Sequence, residues 1–399
     1  MSDNNSSLKR PVGSLAGFLI SIAIGLVIYW LLNNIKGLEV FLTYNDIVAK
    51  TAHDPFHKLL WLLMDFTEAE FYAGVFAGIF IIIGAFIAWR LDVKNSRLAG
   101  FNICYGTNTW PWVFASQVLS MILVLYVLNY THLFNEYTFL PTFITVVGGP
   151  PALMLIYGPN PRALITGSIL GAFIAFPIAF WLMTKVISVI NVPVVVANVT
   201  TMALIGIIMC QVFKVLPWIE KTPYKTINRQ VKELSREEKI QDMSKPSWFI
   251  RRVFADFSEA QFYGNEIAGI FLIIGVIIDF ILNTAHPAYG SGLLPAMILA
   301  QIVGSATGIF LYFDKWVEKG WYATFVPVVS SAPACVLAFG GTIPVALFAG
   351  ILSGIIGAPY AEYLANKLPE DFHPTIANVT SMAVTTIIVY VVMQALPWF

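Results

Sequence analysis

The sequence predicts an all-α polytopic membrane protein of about eleven transmembrane helices. They form one leading helix and two inverted five-helix repeats with broken or re-entrant spans. Three observations carry this expectation: the composition, the distribution of basic residues, and an internal duplication.

The chain has 399 residues, of which 58% are hydrophobic and 12% charged. A soluble domain is about half apolar and about a quarter charged, so this chain belongs in a bilayer. Its 23 basic and 23 acidic residues cancel, which argues against a nucleic-acid partner, since such a protein carries a basic surplus. The cysteines, Cys104, Cys210 and Cys335, lie far apart in apolar stretches. That spacing indicates neither a disulfide framework nor a thiolate metal site.

A spanning helix needs about 20 predominantly apolar residues. Candidates lie near 14–34, 70–89, 110–130, 139–157, 163–184, 194–217, 263–283, 293–313, 322–340, 343–365 and 375–398. The first follows a polar tail and has no small-residue cleavage site after it, so it reads as a retained helix within segment 1–34 rather than a signal peptide. Placing the N-terminus inside puts Lys9, Arg10, Arg90, Lys94, Arg97, Arg162, Lys214, Lys315, Lys319 and Lys367 on the cytoplasmic side, with all nine basic residues of 219–252. Only Lys36, Lys50, Lys58 and Lys185 fall outside. This asymmetry obeys the positive-inside rule, and one helix more or fewer would spoil it. The C-terminus then lies outside, and the expected location is a bacterial cytoplasmic membrane. Segment 35–64 reads as an extracytoplasmic interfacial stretch containing an amphipathic helix. Segment 219–252 is a cytoplasmic linker with a solvated helix expected over 228–241.

The duplication is visible by eye. Asp65-Phe66-Thr67-Glu68-Ala69-Glu70-Phe71-Tyr72 matches Asp256-Phe257-Ser258-Glu259-Ala260-Gln261-Phe262-Tyr263, and 14 of 24 positions agree over 65–88 against 256–279. Four further blocks follow in the same order. Tyr105-Gly106 matches Tyr289-Gly290, 142–155 matches 324–337, 165–177 matches 347–359, and Ala197–Ala203 matches Ala377–Ala383. The repeats are 65–218 and 253–399. Five helices is an odd number, so the second copy enters the membrane upside down relative to the first. Inverted repeats are a common construction of secondary transporters, with the site at the repeat interface.

Four features mark candidate site residues. Gly148-Gly149-Pro150-Pro151 and Ser330-Ser331-Ala332-Pro333 interrupt matched spans. Proline removes a donor and clashes with the preceding turn, so Gly148, Gly149, Ser330 and Ser331 are expected at broken helix ends facing a ligand. Asn198, Thr200, Asn378 and Thr380, in two Asn-Val-Thr segments, offer neutral oxygens that suit Na⁺ or a polar solute, or hydrogen bonds between helices. Gln117 and Gln301 are expected to line a cavity or to pair between helices. Glu68 and Glu259, retained in both copies, are expected near the two mouths as gating or proton-responsive groups, with helix capping as the plainer account. Glu266 stands in an apolar run without an acidic counterpart, and an ionisable residue within a span is a functional candidate by default. Asp279 and Glu362 lie close enough to helix ends to snorkel.

No phosphate-binding loop, zinc-protease motif or serine nucleophile elbow is present. His53 and His57 are separated by Pro55, a poor arrangement for a metal, so no metal, cofactor or catalytic residue is expected. The reading is a secondary active transporter of a small polar organic solute, a symporter driven by Na⁺ or H⁺ through alternating access. The architecture resembles, at class level, cation-coupled transporters built from inverted five-helix repeats. The alternatives are a membrane-embedded enzyme or accessory subunit, with its catalytic groups on one face, or a channel. The first helix lies outside the repeats, free for the periphery or a homodimer interface.

Overall fold

The computed structural model describes residues 11–224, 234–369 and 372–399. The N-terminal tail and the 228–233 part of the expected linker helix lie outside the described residues. Among those residues the chain is helical with no strand. The helices are α1 (Leu15–Asn33), α2 (Tyr44–Thr51), α3 (Pro55–Asp65), α4 (Val75–Val93), α5 (Trp110–Ile122), α6 (Ile144–Val147), α7 (Gly149–Tyr157), α8 (Pro161–Trp181), α9 (Ser188–Ile190) and α10 (Val195–Val215). They continue with α11 (Arg236–Met243), α12 (Pro246–Asp256), α13 (Glu266–Leu282), α14 (Leu294–Leu311), α15 (Phe313–Lys319), α16 (Ser331–Phe339), α17 (Ile343–Ala365) and α18 (Thr375–Ala395). Among the described residues eight helices are long and apolar enough to cross a membrane. The chain is therefore a helical multi-pass membrane protein.

The other three expected spans are shorter. The one at 263–283 becomes α13, of 17 residues. The one at 139–157 breaks at Gly148, whose backbone leaves the helical region at φ −110°, ψ −131°. It yields α6 and the nine-residue α7. At 322–340 a run of turns ends at Ser330 (φ −149°, ψ −96°), and only the nine-residue α16 follows. Helices α7 and α16 carry proline in the first turn (Pro150, Pro151 and Pro333), where a missing N–H costs little.

Among the described residues α4 and α13 make the most extensive helix pair, and it follows from small residues. A Cβ on Gly84 would meet Phe271 and the backbone of Ala268, and a Cβ on Gly275 would meet the backbone of Phe76 and Ala77 and the Cβ of Phe80. Close backbone approach of this kind is how helices associate in lipid, where no hydrophobic force drives them together. Likewise a Cβ on Gly350 or Gly354 of α17 would lie 2.6 or 2.5 Å from a carbonyl oxygen of α14. Helix α14 is consequently buried along almost its whole length. Helix α1 is mostly exposed and leans on the second half, where Gly17 meets Phe249 and Gly25 meets Leu299.

The helices α3 and α12 occupy matched sequence positions and pack alike. Gly78 of α4 abuts the carbonyl of Leu63, and Gly269 of α13 abuts the carbonyl of Phe254. Helix α3 buries Leu60, Trp61, Leu62, Met64 and Asp65. Its C-terminal half therefore packs inside the protein.

Candidate functional site

The two acidic turns, 66–74 between α3 and α4 and 257–265 between α12 and α13, build the centre. A hydroxyl closes each one. Thr67 Oγ1 accepts from the N–H of Gly74 at 3.1 Å, and Ser258 Oγ accepts from the N–H of Asn265 at 3.0 Å. Phe71 and Phe262 both take left-handed backbone conformations, at φ +67° and +66°. Such a conformation costs a bulky residue of order 1–3 kcal/mol and persists where the surroundings impose it.

The surroundings here are the other half of the chain. The N–H of Cys104 donates to Tyr263 O at 3.0 Å, and the N–H of Ala288 donates to Tyr72 O at 2.7 Å. Tyr72 Oη donates to Gln301 Oε1 at 2.7 Å, and Tyr263 Oη donates to Gln117 Oε1 at 2.8 Å. Gln301 Nε2 donates to Glu70 O (2.9 Å) and Val328 O (2.7 Å). Gln117 Nε2 donates to Gln261 O (3.2 Å) and Val146 O (2.7 Å). Every bond made by one glutamine has its counterpart at a sequence-matched residue for the other. The two turns also touch directly, as Gln261 Nε2 reaches Phe66 O at 2.8 Å and Glu70 Oε2 at 2.9 Å.

Against these turns lies a cavity of about 540 Å³. Both halves line it with matched residues: Glu68 and Glu259, Phe71 and Phe262, Tyr105 and Tyr289, Phe143 and Phe325, Met202 and Met382. Exposed Asn45, Thr138 and Asn191 stand on its margin. Glu68 and Glu259 thus share one cavity. Both are buried, at matched turns that α3 and α12 carry into the interior.

The two carboxylates have unlike neighbours. Glu259 Oε2 pairs with Arg252 Nη2 at 2.6 Å, and its Oε1 accepts from Trp321 Nε1 at 2.7 Å. Arg252 also pairs with Asp256 at 2.6 Å, and Asp256 accepts from Ser305 Oγ at 2.6 Å. Tyr105 lies beside Glu259, and Tyr289 beside Glu68. Glu68 is 2% exposed, and neither of its oxygens has a hydrogen-bond partner of normal geometry among protein groups. Its neighbour Asp65 accepts from Thr142 Oγ1 at 2.7 Å, which in turn accepts from Trp61 Nε1 at 2.8 Å.

The remaining candidates fall as follows. Asn198 lines the cavity with a buried, unpartnered Oδ1. Asn378 is buried near the start of α18, Thr200 is half-buried, and Thr380 Oγ1 donates to Ile376 O within its own helix. Gly148 and Gly149 flank a separate small void and pack on Ile205 and Met209. Ser330 Oγ donates to Val326 O, while Ser331 Oγ is buried and unpartnered. Gln117 and Gln301 are fully buried with their amide groups taken by protein. Glu266 lies away from the cavity at the start of α13, held by Arg251 Nη2 at 2.6 Å and the N–H of Phe101 at 2.8 Å. Asp279 does not snorkel: it is fully buried and accepts from the N–H groups of Phe76 and Ala77 at 3.0 and 2.8 Å. It supplies α4 with the cap that Asn265 supplies to α13. Glu362 is tied to Lys315 and Lys319.

Sequence reasoning did not single out Tyr105, Tyr289 or Arg252 for the site. The tyrosines were legible as a repeated Tyr-Gly pair. Arg252 stands where the first half has Trp61, and that exchange beside a matched Asp and Glu is the signal of a buried ion pair.

No protein-family model matches the chain, and no curated protein matches it. Fold and geometry define the class, a helical multi-pass membrane protein with a cavity lined by two glutamates.

Proposed function

We propose that the chain is a secondary active transporter of a small organic solute, coupled to Na⁺ or H⁺, working by alternating access between two inverted five-helix units. In this reading the N-terminus lies in the cytoplasm and the C-terminus outside. The observation that carries the reading is the cavity to which sequence-matched residues of both halves contribute in pairs. Reciprocal bonds from Gln117 and Gln301 tie each acidic turn to the opposite half. A site shared by two like units of opposite orientation can be exposed to either side by two conformations of similar energy. Asn198 Oδ1, buried without a hydrogen-bond partner, and Glu68, buried without a cation among the described residues, offer oxygens to solute or coupling ion.

The test is the thermal stability of the purified protein against a panel of small solutes, with and without Na⁺ and at two pH values. A ligand that binds the native state raises the melting temperature by mass action. A solute-specific rise that depends on Na⁺ or pH, and is lost in Asn198→Ala, supports the proposal. A rise indifferent to both, with unsaturable flux in proteoliposomes, replaces it with a channel.

A further inference from the structure

Glu68 and Glu259 face one cavity, but only Glu259 has its charge answered. Arg252 stands at a position occupied by Trp61 in the first half, and Trp321 at a position occupied by Phe139. Among the described residues Arg252 is the one buried lysine or arginine, and both of its ion pairs are to carboxylates of the second half. Among the described residues Glu68 has no cation within ion-pair distance, although it is buried and lines the cavity; the group beside it is the neutral Tyr289 hydroxyl. Around it the aromatic residues gather. The ring of Tyr289 lies 5.7 Å from that of Tyr44, 6.4 Å from Phe71 and 6.0 Å from Phe139, and all four rings line the cavity.

A buried carboxylate without a counter-ion is strongly unfavourable, by several kcal/mol. Aromatic faces attract cations, and quaternary or methylated ammonium groups in such cages are the recurring case. A cavity of about 540 Å³ far exceeds what a bare metal ion needs. It falls within the roughly 300–1,000 Å³ of small-molecule sites. Resting on the transport reading above, we infer that the solute is a monovalent organic cation, an amine or ammonium compound. Its charge pairs with Glu68 within the rings of Tyr44, Phe71, Phe139 and Tyr289, while Glu259 stays held by Arg252.

The experiment is titration calorimetry of the purified full chain with three probes of like shape and different charge: phenethylamine, neutral 2-phenylethanol and anionic 3-phenylpropionate. Sodium chloride is titrated separately. Phenethylamine is expected to bind at least tenfold more tightly than 2-phenylethanol, with no binding of 3-phenylpropionate. Glu68→Gln removes the preference, so that amine and alcohol bind alike. This variant deletes an unpaired buried charge and is expected to melt no lower than the wild type. Phe71→Leu weakens phenethylamine several-fold and keeps the charge order. The inference is overturned if the wild type does not prefer the amine, if Glu68→Gln retains the preference, or if Na⁺ binds with the same dependence on Glu68. Flux in proteoliposomes separates this result from the reading beneath it. Glu68-dependent binding of phenethylamine without saturable flux removes transport and keeps the cation site. Saturable flux of a neutral or anionic solute that survives in Glu68→Gln keeps transport and removes the cation site.

Discussion

Replacing Gln301 by leucine keeps the volume of the side chain and deletes its amide. Three buried groups then lose their partner: Tyr72 Oη, the carbonyl of Glu70 and the carbonyl of Val328. Interhelical hydrogen bonds in a membrane protein average about 0.6 kcal/mol and reach about 1.7. Leaving a buried group unpaired costs about 1–3 kcal/mol in general. Three bonds at the membrane average give about 2 kcal/mol, and three orphaned groups at the low end of the burial cost give about 3, so the loss lies at about 2–4. The assay is reversible unfolding in mixed micelles with added denaturing detergent. Tyr72→Phe completes a double-mutant cycle, because it removes one of the three orphans. Gln301→Leu is expected to be destabilised by about 2–4 kcal/mol, with about 1 kcal/mol of coupling to Tyr72→Phe. A loss below about 0.5 kcal/mol, with no coupling, refutes the claim that the glutamines tie the halves together.

Two further perturbations test other parts of the structure. Arg252→Met leaves Asp256 and Glu259 buried without a cation, and is expected to lose about 3–5 kcal/mol in the same unfolding assay. Glu259→Gln in the same chain recovers part of that loss, since one of the two stranded charges is gone. Asp46→Ala removes the capping box at the start of α2, outside the membrane spans, and costs up to about 1 kcal/mol at pH 7. The Thr43 hydroxyl, then the Thr43 N–H, holds the Asp46 carboxyl below its usual value. A depressed carboxyl adds stability above its unfolded value and loses it as pH falls through the folded one. The difference between wild type and Asp46→Ala is therefore present at pH 7 and closes in acid, which unfolding curves at both pH values read directly.

Much of this molecule is legible in the sequence, for definite reasons. Long apolar runs with polar ends report spanning helices because a bilayer sets their length. The breaks before Pro150-Pro151 and Pro333 were legible because proline conflicts with an upstream helix. What escaped was depth. Helix α3 is too short to span, so composition assigns Pro55–Asp65 to the surface. It carries Asp65 inside to Thr142, and the turn after it places Glu68 on the cavity beside Tyr289. Glu266 and Arg252 show the same limit from two sides. Glu266 reads as a charge stranded in an apolar run, but the 94–102 loop and Arg251 fold back to meet it. Arg252 reads as one more cytoplasmic charge, but α12 turns it inward to two carboxylates. Periodicity reports which residues share a helix, and only the packed chain decides which charges share a space.

The central claim is that one cavity, made by both halves, is reached from both sides of the membrane in turn. Ala69 and Ala260 line that cavity at matched positions, and the native Cys104, Cys210 and Cys335 are buried. With the native cysteines replaced, Ala69→Cys and Ala260→Cys would be treated in sealed vesicles with a membrane-impermeant thiol reagent added to one face at a time. The account predicts that each position is modified from either face, and that a bound solute changes the ratio of the two rates. Modification from a single face at both positions, under every ionic condition, would contradict it.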